Sequence, residues 1–169
     1  MRRVLTAVAF LLTVLAFSAT VRFDAMADFD YFVFEASPSS DVRFLGVQID
    51  VLLISPGNVQ MGFGFGYSVV ENGLQFFGKD IDHTVDFYSV ASYRTELSSV
   101  FDLLIVSRGG ISVPNHDFSM SGYFVEVTAE LAYFMGWFHI FGGISMKSYA
   151  FPNSSVTFIP FKVGVGGEY

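Results

Sequence analysis

Asn115-His116-Asp117-Phe118-Ser119 holds a histidine, an aspartate and a serine, the residue types that acyl transfer uses as base, orienting acid and nucleophile. Closeness in sequence does not make a triad, because the base must reach the nucleophile and be oriented by a third group. The plainer reading is a solvated loop. His83 stands near Asp80 and Asp82, donor types that hold zinc, but three loop residues without a fourth ligand make a poor site. Glu126 and Glu130 have the composition of a glycosidase pair. On a strand they share a face but lie roughly 13 Å apart by strand rise, so an interior role fits better. Gly62-Phe63-Gly64-Phe65-Gly66 superficially matches a phosphate loop, which needs a strand-to-helix junction. Here glycine alternates with phenylalanine, a pattern that suits small residues leaving room inside a narrow barrel. The chain has no cysteine, which removes disulfides, thiolate metal sites and thiol nucleophiles. No catalytic, cofactor-binding or metal-ligating residue is assigned, and a non-enzyme without a cofactor is expected.

The elements around these residues are written in the composition. Of 169 residues, 52% are apolar and only 15% are charged, against about 25% charged in typical soluble domains. This is too apolar for disorder and fits one domain. Nine bases face 16 acids, a net charge of −7. An acidic chain with scattered bases lacks the basic stripe that phosphates require, so nucleic acid is not expected as a partner.

Met1-Arg2-Arg3 is followed by an uncharged run from Val4 to Phe17 and then by Ser18 and Ala19. This order of positive start, apolar stretch and small residues reads as a secretory signal peptide over residues 1–18, with cleavage after Ser18 or Ala19. The run falls short of the roughly 20 residues a membrane helix needs. Ala25-Met26-Ala27 is a second small-x-small site. A short N-terminal segment, 19–27, then leads into a β-barrel domain, 28–169.

Beyond the leader, apolar residues recur at every second position, the period of a strand. Val59, Met61, Phe63, Phe65, Tyr67 and Val69 share one face, and Gln60, Gly62, Gly64, Gly66 and Ser68 the other. A helix over this segment would carry three glycines at about 1 kcal/mol each relative to Ala. Equivalent alternation sets Leu45, Val47, Ile49 and Val51 against Gly46, Gln48 and Asp50, and Tyr123, Val125, Val127, Ala129 and Leu131 against Glu126, Thr128 and Glu130. Near residue 140 the apolar set is even-numbered: Phe138, Ile140, Ile144 and Met146 oppose His139, Ser145 and Lys147. Eight strands are predicted, over 28–37, 42–54, 59–70, 82–97, 99–112, 121–134, 138–149 and 155–169. Tight turns at 55–58, Leu97-Ser98-Ser99 and Met135-Gly136-Trp137 alternate with longer or turn-rich connections at 37–41, 71–81, 113–120 and 150–154.

Two features predict that the apolar face points outward. The opposite face is rich in Gly, Ser and oppositely charged residues, with few lysines, unlike a face made for water. The apolar faces also run over 9–11 residues, the length of a tilted strand across hydrocarbon. Aromatics fall near strand ends: Tyr93, Tyr133, Trp137, Phe138 and Tyr169 at the tight-turn end, Tyr67, Phe87 and Tyr123 at the other. A three-residue turn at Leu97-Ser98-Ser99 sets Arg94 directly opposite Asp102. The next hairpin pairs Glu126 with Lys147, and Arg108 lies one diagonal step from Glu126. Opposite charges across strands are favourable, and inside a barrel each would otherwise be a costly unpaired charge. Two lumen clusters are expected, Arg94–Asp102 and Arg108–Glu126–Lys147.

Leader, eight amphipathic strands, alternating connections and a C-terminal strand ending in an aromatic residue together resemble the small outer-membrane β-barrels of diderm bacteria, such as the membrane domain of outer membrane protein A. The resemblance covers residues 28–169 and implies an all-β, eight-stranded antiparallel up-and-down transmembrane β-barrel in the outer membrane. It implies outer-membrane lipid, the secretion translocon, periplasmic chaperones and the barrel assembly machinery as partners. It also implies an assembly signal in the last strand: Lys162, Gly164 and the terminal Tyr169 match it, and Gly167 departs where a bulky apolar residue is usual. Some similar barrels are lipid A-modifying enzymes. The deacylases among them use a His-x-Ser-Asn motif that this chain lacks, since His116 and Ser119 are three apart.

The function these readings favour is a structural or adhesive membrane barrel, or a narrow channel for small solutes. The alternatives are a barrel that binds or transports a small apolar ligand, a lipid-modifying enzyme, or a soluble lipocalin-like carrier with the faces reversed.

Overall fold

The computed structural model describes residues 20–35, 43–54, 57–76, 79–152 and 154–169. The leader read over 1–18 lies outside them. Eight strands follow in order: β1 (Thr20–Glu35), β2 (Arg43–Ile54), β3 (Val59–Phe76), β4 (Lys79–Glu96), β5 (Phe101–Pro114), β6 (Gly122–Met135), β7 (Phe138–Phe151) and β8 (Ser154–Glu168). Each pairs antiparallel with its sequence neighbours, and β8 closes on β1. This is the up-and-down barrel that the alternation predicts. We call the end holding 57–58, 97–100 and 136–137 the turn end, and the opposite one the loop end.

Two stretches read as lying outside the strands are strand. β1 begins at Thr20, so residues 20–27, read as a lead-in, are strand: Thr20 pairs with Ile54 and Arg22 with Glu168. Buried Arg22, Asp24 and Met26 alternate there in sequence with Val21, Phe23, Ala25 and Ala27. Residues 71–81, read as a loop, instead prolong the β3–β4 hairpin, with Leu74 opposite Ile81 and Phe76 opposite Lys79 after an irregularity between Val69 and Leu74. The ladder with β2 ends at Arg43–Glu71 and that with β5 at Thr84–Pro114. Beyond those points each strand of the ribbon has a neighbour on one side only; Ile81 still packs into the core, but Glu71, Asn72, Asp80 and Asp82 surround it in sequence, which is why polarity alone suggested a loop.

The wall is apolar outside. Phe63, Phe65 and Val127 are 43–54% exposed, whereas Glu130 and Lys162 are 1% and 0% exposed. In β7 the parity reverses as predicted, with Ile140, Ile144 and Met146 exposed and His139, Ser145 and Lys147 buried.

The interior is not uniformly polar. Phe124, Tyr149, Phe151 and Phe158 form an aromatic layer toward the loop end with Val70, Ile81 and Val156, and Met120 packs against it. Tyr149 stacks on Phe151 and Phe158 at 5.7 Å, and Phe124 contacts both Tyr88 and Tyr149. Small residues admit these rings. A Cβ on Gly64 would collide with the Tyr88 ring and stand 2.7 Å from Asp50 Oδ1.

Candidate functional site

Side chains from all eight strands converge in the interior and form charged tiers. The register that builds them follows from the turns. The β4–β5 connection spans four residues, 97–100, with Leu97 and Ser98 N–H donating to Phe101 O. Glu96 therefore faces Asp102, and Arg94 faces Leu104. Arg94 lies diagonally from Asp102 rather than directly opposite, as the shorter turn implied. Its long side chain still reaches, with Nε 2.5 Å from Asp102 Oδ2 and Nη1 2.9 Å from Glu168 Oε1. The guanidinium also lies 4.2 Å over the Phe134 ring. At the same end, Arg22 pairs with Asp24 at 2.6 Å, and His139 Nε2 lies 2.8 Å from Asp24 Oδ1.

The middle tier centres on Arg108. Arg108 faces Glu126 directly across β5–β6, not one diagonal step away. Its Nη1 is 3.2 Å from Glu126 Oε1, and its Nη2 is 2.7 Å from Asp50 Oδ2 and 3.4 Å from Glu130 Oε1. Nη1 also donates to Thr128 at 3.1 Å. Glu126 collects further donors: Lys162 Nζ at 2.5 Å, Ser145 Oγ at 2.9 Å and Gln48 Nε2 at 3.1 Å. Lys162 also donates to Gln48 Oε1 at 2.6 Å, and Tyr88 donates to Asp50 Oδ1 at 2.8 Å. Every charge here is fully buried, a condition tolerated only when partners and hydrogen bonds are nearly complete.

The expected Glu126–Lys147 pairing exists in the ladder. The ammonium of Lys147 also meets Asp86 Oδ2 at 3.0 Å, an oxygen that accepts from Tyr149 at 2.7 Å. The ring faces of Phe124 and Tyr149 lie about 5 Å from it. Sequence reasoning placed Glu130 in the interior but gave neither it nor Arg22, Asp24, Asp50, Asp86 and Lys162 a partner. It considered only hairpin neighbours, whereas Asp50 and Arg108, or Asp86 and Lys147, meet across the barrel. The available signal was their common inward parity.

Of the assembly-signal residues, Lys162 is buried in the middle tier, and Gly164 lies beneath the Phe141 ring. Tyr169 is exposed, its ring 5.4 Å from that of Trp137. A Cβ on Gly167 would sit 3.1 Å from the Tyr169 ring and 3.2 Å from that of Trp137. Those rings occupy the space a bulky residue at 167 would take.

The other chemical motifs take structural parts. Asp117 accepts from Ser119 N–H at 2.9 Å and from Ser119 Oγ at 2.6 Å, capping the 3-10 turn Phe118–Met120. His116 packs on His83 instead. Glu126 and Glu130 both meet Arg108. Among the described residues, no group of three or more His, Cys, Asp or Glu is placed to hold a metal ion, and no helix is long and apolar enough to cross a membrane.

No family model matches the chain, and no curated protein matches it. Solved structures do. The crystal structure of Neisserial surface protein A aligns with a TM-score of 0.67 at 11% identity, covering 89% of this chain and 96% of that one. The N-terminal β-barrel domain of Pseudomonas aeruginosa OprF aligns at 0.56 and 14% identity, covering 90% and 98%. The Yersinia pestis outer membrane protein Ail, in a phospholipid nanodisc, aligns at 0.51 and 14% identity, covering 90% and 100%. The chain therefore has the fold of the small eight-stranded outer-membrane β-barrels.

Proposed function

We propose that this protein is an integral outer-membrane β-barrel with a structural or adhesive role, its interior filled rather than open. The observation that carries the reading is the pairing of an apolar outer wall with a middle tier in which Arg108 and Lys162 are buried among Asp50, Glu126 and Glu130. An apolar wall of this length suits hydrocarbon, and eight strands leave an interior that side chains can fill. The aromatic layer around Tyr149 adds a second obstruction toward the loop end. No step of this reading requires a catalytic group or a cofactor. Lys162, Gly164 and Tyr169 would present the last strand to the barrel assembly machinery before closure buries Lys162.

The test is reconstitution. The folded chain should resist solubilisation without detergent, show a heat-modifiable gel shift, and give planar bilayers no sustained conductance. Steady unitary currents would favour the narrow solute channel instead. A detergent-independent soluble monomer would overturn the membrane reading itself.

A further inference from the structure

The structure brings together two histidines that the sequence leaves 33 positions apart. His83, on β4, and His116, in the connection after β5, have ring centroids 4.5 Å apart with planes inclined at 57°. They lie at the loop end on the outward side, since His83 pairs with the exposed Val69. The far face of His83 stacks on Tyr67 at 5.6 Å. Val85 and Val113 share the outward parity nearby yet are buried, unlike Phe87 and Ile111.

The backbone beneath the pair is tied down. Asn115 N–H donates to His83 O at 3.0 Å. The Asn115 side chain donates to Asp80 O at 2.6 Å and accepts from Asp82 N–H at 2.9 Å and His83 N–H at 3.3 Å. Asn115 and His116 both adopt left-handed backbone, φ 48° and 58°, and this turn carries the His116 ring back over β4. His83 Nε2 is buried with no hydrogen-bond partner among the described residues. A buried ring nitrogen without a partner is uncommon.

We propose that His83 and His116 form a two-imidazole site for a divalent transition cation at the outer rim. The spacing constrains the ion. With metal–nitrogen bonds of about 2.1 Å, each ring centre lies about 3.2 Å from the metal. Were a nitrogen of each ring turned to one ion, centroids kept 4.5 Å apart would subtend about 90° at it. That angle is the cis arrangement of square-planar and octahedral ions, Cu(II) and Ni(II), rather than the wider tetrahedral angle of zinc. Water completes the coordination. His116 is exposed, so its ring can turn its edge toward the ion and leave an entry path. His83, held by Tyr67 and the Asn115 clamp, is the fixed ligand. A bound ion would lock the connection after β5 onto β4. This site is separate from the interior tiers and stands whether or not the barrel conducts.

The test is calorimetric titration of the untagged, detergent-folded chain with NiCl2 and, separately, CuCl2 at pH 7.5. One ion per chain should bind. Affinity should fall at least tenfold in His83→Ala and in His116→Asn, the latter keeping a residue tolerant of left-handed backbone. Should His83→Ala not fold, His116→Asn alone decides. No binding at millimolar metal, or binding of equal strength in folded variants, would overturn the proposal.

Discussion

Lys162 Nζ on β8 lies 2.5 Å from Glu126 Oε1 on β6, although β7 separates the two strands. The contact spans the interior rather than running along the wall. Glu126 is thereby the common acceptor for Lys162, Arg108, Ser145 and Gln48, and it ties β2, β5, β6, β7 and β8 together.

Glu126→Ala should therefore destabilise the barrel by about 3–5 kcal/mol, the range for removing one partner of a buried ion pair. Glu126→Gln keeps the shape and part of the hydrogen bonding and should cost less. Urea unfolding in lipid vesicles, followed by the gel shift, measures both. Unfolding curves that match wild type would show that the tier is not holding the strands.

The two faces of β6 should respond oppositely to charge. Val127→Lys places an ammonium on the outer wall, where a midplane charge costs about 2–4 kcal/mol in a barrel. It should reduce the folded yield in vesicles far more than in detergent. Val127→Leu should fold as wild type does. Equal yields for Val127→Lys in the two media would contradict a lipid-facing wall.

Asn115 meets three requirements at once: left-handed backbone, an amide donor and an amide acceptor. Asn115→Ala loses both hydrogen-bonding groups and adds roughly 1–2 kcal/mol of left-handed strain. The Asp82 and His83 amides should exchange with deuterium at least tenfold faster, while the β5–β6 ladder stays protected. Unaltered exchange at those two amides would rule out the clamp.

Gly167 leaves its space to the rings of Trp137 and Tyr169. Gly167→Leu would restore the bulk usual at this place in similar barrels but must displace Trp137, the single tryptophan of the chain. Its fluorescence should shift in wavelength on folding into vesicles relative to wild type. An identical emission spectrum would mean that the glycine is not making room.

Much of the site was within reach of inward parity, but the partners were not. Arg94 and Asp102 were assigned together from one turn, and the actual four-residue turn moved them to a diagonal that the long arginine still spans. Lys147 faces Glu126 in the ladder as assigned, and its ammonium also meets Asp86 on β4, a partner that no hairpin supplies. The His83–His116 contact had no sequence signal at all.

The order of residues by itself determined the strand period, the number of strands, the reversed parity of β7 and the outward apolar face. Side-chain direction alternates along any strand, so burial preference is visible one residue at a time. Only closure decided which inward charges meet. Curling eight strands into a cylinder brings β2 within reach of β5, and β6 of β8, at distances that no single hairpin encodes. In that desolvated centre, the identity of the nearest opposite charge determines whether a lysine or an arginine can be buried at all.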